Sequence, residues 1–145
     1  MILELLNAVV SSFIGTFAFA LILHAPKESW LVCSMLGSVS YGTYTLLRML
    51  GAADALAMFL GVLLASSIAQ IMAKRRRMIA TVFVTLSIIP CVPGYGIYTS
   101  MSLFARDQMD AGMQAFVTAM TEVVMIALAL AISSFVARST KKIKK

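Results

Sequence analysis

The sequence predicts an all-α integral membrane protein with about five transmembrane helices, the N-terminus outside and the C-terminus cytoplasmic. Of its 145 residues, 61% are hydrophobic and only 12% are charged, whereas a soluble domain is roughly half apolar and a quarter charged. So short a chain cannot bury that much apolar surface in a core of its own. The apolar runs are long and continuous, which excludes the alternating segments of about ten residues that form a membrane β-barrel.

Five apolar runs approach the length of about 20 residues that a membrane-spanning helix needs. The second run begins at Trp30, an aromatic residue typical of the membrane interface, and Arg48 closes it. A loop is predicted at 100–112. Residues 1–137 are interpreted as a single transmembrane domain and residues 138–145 as a basic cytoplasmic tail. The predicted spans are 3–23, 30–47, 52–73, 78–99 and 113–137.

The distribution of basic residues predicts the orientation of the chain. Ten of the 12 Lys and Arg residues fall on the side of the 24–29 loop, the 74–77 cluster and the tail, and only Arg48 and Arg106 on the other. Cytoplasmic loops carry this excess of positive charge. This bias places the C-terminus in the cytoplasm and the N-terminus outside, and a chain whose termini lie on opposite sides must cross the membrane an odd number of times. The basic clusters are interpreted as topology signals, so no nucleic-acid partner is expected, and the lipid bilayer of the inner (plasma) membrane is the predicted environment.

The most informative stretch interrupts the fourth run between Ile89 and Tyr98. Proline removes a backbone donor and clashes with the preceding helical turn, and glycine loosens the backbone. Broken backbone at membrane depth must face protein or a wet cavity, which is where transporters bind substrate. Pro90 lies about 18 Å from the start of the span, past its midplane. The alternative is a helix that ends at the membrane surface. The interrupting residues are Pro90, Pro93, Gly94 and Gly96.

Glu122 is the only acidic residue well inside an apolar run. A charge at the centre of a bilayer costs on the order of 2.5 to 3.5 kcal/mol, so the side chain is expected to face protein or water. It is interpreted as a proton- or substrate-responsive carboxylate, the alternative being a protonated acid bonded to a neighbouring helix. Tyr98 either joins the path or anchors the interface. The predicted substrate path or hinge comprises Pro90, Pro93, Gly94, Gly96, Tyr98 and Glu122.

Further polar side chains lie inside the apolar runs and need partners there, although Ser and Thr can bond back to their own helix. Small residues recur every four positions, as at Ala57, Gly61, Ala65 and Ala69, and predict close helix packing. The other intramembrane polar residues are Asn7, Ser11, Ser12, Ser40, Tyr41, Tyr44, Ser66, Ser67, Gln70 and Ser87.

Enzyme signatures are missing from the sequence. There is no Gly-x-Ser-x-Gly motif, no His-Glu-x-x-His motif and no phosphate-binding loop. His24 is the only histidine, and it belongs to no catalytic motif. Cys33 and Cys91 are too far apart in sequence, and too isolated from His, to suggest a metal site. No catalytic residue, metal or cofactor is therefore expected.

Three motifs along nearly the whole chain resemble the small-subunit type of the threonine/serine exporter family. The first is the apolar run Phe17 to Leu23 followed by His24-Ala25-Pro26. The second is the span from Trp30 to Gly42, similar to a "W…LLG…G" pattern. The third and most specific is Ile89 to Gly94, close to an "IP…PG" motif after a basic loop, with Tyr98 following.

The resemblance implies export of small hydrophilic metabolites, either amino acids such as threonine and serine or dicarboxylates such as succinate. It also implies a larger membrane partner of the same family. The chain alone is short for enclosing a transport path, so a partner or a homo-oligomer is expected. The alternatives are a non-transporting membrane scaffold or assembly subunit and a small pore-forming protein.

Overall fold

The computed structural model describes residues 2–76 and 78–142, which form six α-helices and no strand. Two short 3-10 turns, Lys27–Ser29 and Ile89–Cys91, precede α2 and follow α4. The predicted all-α class is therefore confirmed. The helices are α1 Ile2–Ile22, α2 Trp30–Met49, α3 Asp54–Arg75, α4 Ala80–Ile88, α5 Gly94–Ala105 and α6 Met109–Lys142.

Tight turns follow three of the helices, α1, α2 and α5. After α1, α2 and α5 the chain takes one residue in the left-handed region, at His24 (φ 50°), Gly51 (φ 86°) and Asp107 (φ 58°). Each turn has paired bonds back to the last carbonyls, such as Ala25 N to Ala20 O at 3.0 Å, as in a Schellman motif. One end of the bundle, the basic end, carries Lys27, Lys74, Arg75 and Arg76.

Helices α1, α3 and α6 are long and apolar enough to cross a membrane, and α4 with α5 would add a fourth span if the bent pair counts as one. Helix α2 has 20 residues but is more polar. It packs against both α1 and α3, and its Ser34, Ser38 and Ser40 are buried between them. A helix enclosed by its neighbours does not need an apolar surface all round. The five-span count and the orientation stay predictions.

Small residues and a few large apolar side chains form the interior. Towards the basic end Phe83 and Leu86 pack with alanines of α3, and towards the other end Val62 packs with Ile126. The small residues of α3 whose four-residue spacing predicted close packing are buried. Ala127 and Ala131 of α6 have the same spacing but are exposed. The buried residues of the α3 series are Ala57, Gly61, Ala65 and Ala69.

The helix breaks within the predicted Pro/Gly stretch, and α5 leaves α4 at an angle of 46°. An angle this small keeps the chain moving in one general direction rather than turning it back. The predicted 100–112 loop is wrong, because helix continues to Ala105 and the turn before α6 is only residues 106–108. Twelve helical residues stand on each side of the break, Ala80–Cys91 and Gly94–Ala105. It therefore lies midway along the pair and not towards its far end.

The break changes the neighbours of the chain. Helix α4 packs against α2 and α3, whereas α5 packs mainly along α6. The 3-10 turn Ile89–Cys91 between them contacts α1 and α2. By leading α5 away, the bend leaves α1 and α2 without a covering helix beyond the turn.

The close approach of α2 and α3 at Gly61 gives the first prediction. A Cβ at Gly61 would lie 2.7 Å from the backbone oxygen of Ser40. Gly61→Ala should therefore lower the free energy of unfolding by about 1 to 3 kcal/mol, the usual effect of overpacking. Denaturant unfolding of the purified protein in detergent micelles measures the change.

The matched control for this prediction is Gly15→Ala in α1, where a Cβ would meet nothing within 4 Å. It should stabilise the protein by about 0.5 to 1 kcal/mol, because alanine favours helix over glycine. Equal effects of the two substitutions would contradict the tight α2–α3 packing.

Candidate functional site

A groove runs between α1 and α2 on the side that α5 leaves open. It consists of two adjoining cavities, of about 320 Å³ at the end away from the basic end and about 300 Å³ beside the break. Ser11 and Tyr41 line both cavities, so the two are adjacent. We call them together the α1–α2 groove. Cavities of this combined size hold small organic ligands.

The mouth of the α1–α2 groove carries charges of both signs. Glu4 and Asn7 of α1 face Thr45 and Arg48 of α2 across it. Arg48 Nε lies 2.9 Å from Asp54 Oδ1 at the start of α3, and both side chains are partly exposed. The ion pair holds the guanidinium at the mouth, where it can contact a polar solute.

The groove becomes less polar towards the break. The Thr16 hydroxyl donates to the backbone oxygen of Ser12 at 2.7 Å, and the Ser12 hydroxyl donates to that of Ala8, also at 2.7 Å. These hydroxyls are thus satisfied within their own helix. Phe19 and Pro90 complete the inner wall. A solute passing along the groove would exchange charged contacts for largely apolar ones.

A buried contact anchors the break to α2 beside the inner end of the groove. Ser40 Oγ and Cys91 Sγ are 3.1 Å apart, and both residues are fully buried. Tyr41 and Tyr44 of the same helix contact each other with tilted rings, 5.6 Å between centroids and 42° between planes. The inner end of the groove is therefore closed by packed side chains in this conformation.

Of the six predicted path residues, only Pro90 lines the groove. Pro93 is buried and Gly94 is exposed with open space around it. Gly96 lies against Ala119 of α6, where a Cβ would come within 3.1 Å.

Two predicted path residues lie on the far side of the break. Tyr98 is 71% exposed on α5, outside the groove. Glu122 is half-buried on α6 and interacts electrostatically with Asp54 and Arg48. It is thus linked to the charges at the groove mouth without lining the groove.

Sequence reasoning recognised the polar residues of the groove but gave them no common site. Glu4, Asn7 and Ser11 follow one another at three- and four-residue steps, as do Tyr41, Tyr44 or Thr45, and Arg48. Side chains at these steps share one helix face. Two such polar faces on consecutive antiparallel helices were the signal that could have revealed the groove.

The fold and the groove define a helical multi-pass membrane protein with a polar cleft ending at a broken helix, an organisation seen in solute transporters. The family described as "Threonine/Serine exporter, ThrE" matches residues 8–136. The chain therefore belongs to the threonine/serine exporter family, which is a family of transporters and not of enzymes. No curated protein and no solved structure matches it significantly.

If the α1–α2 groove admits water, a thiol placed in it should react with a charged, water-soluble methanethiosulfonate. In a Cys33→Ala, Cys91→Ser background, Ser11→Cys should label on the order of tenfold faster than Ile14→Cys, since only a hydrated thiol ionises readily. Ile14 is 62% exposed on the same helix but lies outside the groove. Mass spectrometry of the labelled protein in bilayers gives the rates.

Ser34→Cys, at a fully buried position of α2, sets the unreactive baseline. Equal rates at positions 11 and 14 would show that lipid, and not water, occupies the groove.

Proposed function

We propose that the chain is the membrane subunit of a secondary exporter for small polar metabolites, acting with a larger membrane subunit of the same family in the inner membrane. Its solutes are threonine- or serine-like amino acids or dicarboxylates such as succinate. The observation that carries the proposal is the α1–α2 groove, which leads from a charged mouth to the broken helix. The family match supports the class of solute and the direction of transport.

The groove suits a small solute with charged groups. Arg48 can contact a carboxylate, and Glu4 and Asn7 provide oxygen atoms for an ammonium or hydroxyl group. With the predicted orientation this mouth opens to the outside, so the groove is the exit half of the path. Its open side leaves room for a helix of the larger subunit.

The break supplies the moving part of the proposed mechanism. Residues between Ile88 and Gly94 are not held in a continuous α-helical ladder, so changes in their dihedral angles can swing α5 and α6 relative to α4. Hinges consist of a few such positions at the ends of helices. Swinging would separate Cys91 from Ser40 and open the inner end of the groove.

Counterflow in liposomes tests the proposed function. Liposomes holding the chain with the larger subunit and loaded with unlabelled succinate, or separately threonine, should take up the labelled solute against its gradient. Nonselective leak would instead support a pore. Absence of both, alone and with the partner, would support a scaffold subunit.

The hinge is tested by Gly94→Leu in the same assay. A Cβ at Gly94 meets nothing within 4 Å, so the substituted chain should insert and fold normally. The added side chain restricts the backbone at the break. Transport should fall on the order of tenfold, which corresponds to a barrier raised by about 1.4 kcal/mol. Ala131→Leu adds similar bulk at an exposed position of α6 and should have no effect. Undiminished export by Gly94→Leu would rule out the hinge.

Glu122 is proposed to respond to protons during transport. Glu122→Gln keeps the size of the side chain but fixes it in a neutral form, so the dependence of the transport rate on pH should flatten. Counterflow measured between pH 5 and 8 gives the profile. Asp110→Asn removes one carboxylate from the first turn of the same helix and should leave the profile unchanged. A Glu122→Gln protein with the full original pH dependence would exclude proton coupling through this residue.

A further inference from the structure

A cavity of about 500 Å³, separate from the α1–α2 groove, opens at the basic end among α3, α4 and α6. It lies at the opposite end of the bundle from the mouth of the α1–α2 groove. We call it the inner cavity. Its apolar wall includes Met78, Val84 and Leu130, and its polar side chains are Gln70, Lys74, Thr81 and Ser134.

The polar groups of the inner cavity come from three different helices and are positioned by packing. Lys74 Nζ donates a hydrogen bond to the backbone oxygen of Ala137, which holds the ammonium against α6. One turn deeper, Gln70 is 8% exposed and its Nε2 donates to Ser133 Oγ at 2.7 Å. The α3–α6 contact thus fixes both polar side chains of α3.

Electrostatically the inner cavity differs from the groove mouth. None of the described residues that line it is acidic, and Arg75 and Arg76 follow Lys74 directly. Positive charge around a cleft with low-dielectric walls attracts and concentrates anions. An ammonium group has three hydrogen-bond donors, and Lys74 uses one of them in the bond to the backbone oxygen of Ala137. Hydrogen bonds from a lysine ammonium to a carboxylate are charge-assisted and are therefore stronger than hydrogen bonds between neutral groups.

We propose that the inner cavity binds the carboxylate group of the solute and is its entry site. Lys74 provides the charge, and the Thr81 and Ser134 hydroxyls donate hydrogen bonds. This inference rests on the proposed exporter function and deepens it by assigning the loading end and the group recognised there.

The inner cavity and the α1–α2 groove share one wall element, the helix α4 with the 3-10 turn that follows it. Thr81 and Val84 of α4 line the inner cavity, and Ile89 and Pro90 of the following 3-10 turn line the groove. The buried helical segment between them contains Leu86 and Ser87. A movement of this segment at the break can therefore close one cavity while it opens the other, as alternating access requires.

Ligand protection of a thiol tests the proposal without relying on transport. Ala80→Cys, at an exposed lining position with no proposed contact to the carboxylate, is introduced into the Cys33→Ala, Cys91→Ser background, and labelling by a water-soluble maleimide is timed in detergent. Succinate and L-threonine are tested separately, each as a source of the carboxylate. Either should slow labelling about tenfold when present at about ten times its Kd. Succinamide, which has no carboxylate, should not slow it.

Charge variants provide the matched control. Lys74→Gln should abolish protection and Lys74→Arg should retain part of it. Arg75→Gln removes the same charge one residue away, from an exposed position that does not line the inner cavity, and should retain most of the protection, because Arg75 contributes only its longer-range charge. Equal protection in the Lys74→Gln and Arg75→Gln proteins would overturn the assignment, as would protection by succinamide.

Lipid headgroups are the competing source of anions at this depth. Labelling is therefore repeated in nanodiscs of phosphatidylcholine and of phosphatidylglycerol. Slowing by phosphatidylglycerol alone, with no effect of either solute, would make this a lipid site and overturn the proposal. Export without protection would contradict only the inner site. Protection without counterflow would keep the site and contradict the exporter.

Discussion

The structure depends on how the backbone is satisfied where the helix breaks. Lipid offers no hydrogen bonds, so a broken segment must find partners within the protein. Here the Val92 N–H reaches Ile89 O at 3.2 Å and the Ile97 N–H reaches Pro93 O at 3.1 Å. Prolines at 90 and 93 have no N–H to satisfy. Local bonds and the Ser40–Cys91 contact together make the interruption tolerable, and they confine it to a few residues.

The arrangement of the other helices follows from this break. Because α5 turns away to pack along α6, the paired helices α1 and α2 are not covered by α5 beyond the turn, and the groove lies on this open side. Because α4 remains packed against both α2 and α3, the basic end keeps a closed core around Phe83, which is fully buried. One interruption thus separates a packed half of the bundle from an open half, and places a cavity on each side of itself.

The sequence could predict the class of fold and the position of the break, since apolar run length and Pro/Gly chemistry are local properties. The polar faces of α1 and α2 are readable in the sequence, but that they stay uncovered is not, because this depends on the direction α5 takes after Pro93, which is set by contacts such as Gly96 against Ala119. The missed helical turn at 100–105 has a local cause: no Pro or Gly interrupts it, and Asp107 alone supplies the left-handed turn residue. The sequence predicts only a topology signal at Lys74, since the α6 side of the inner cavity, Leu130, Ser134 and Ala137, is distant from it in sequence.

The two ends of the proposed path differ in charge. At the groove mouth Arg48 is already paired with Asp54 at 2.9 Å, and Glu4 lies across from it, so a carboxylate arriving there meets a cation that is largely neutralised. In the inner cavity Lys74 is bound to a backbone carbonyl, which leaves its full charge to attract an anion. A ligand that binds one conformation more strongly shifts the equilibrium towards that conformation, so the unequal sites favour loading at one end and release at the other, while the gradients of solute and ions set the net direction of transport. In the proposed exporter, the same helix break that opens the groove would therefore move a carboxylate from a strong site at the basic end to a weak one at the mouth.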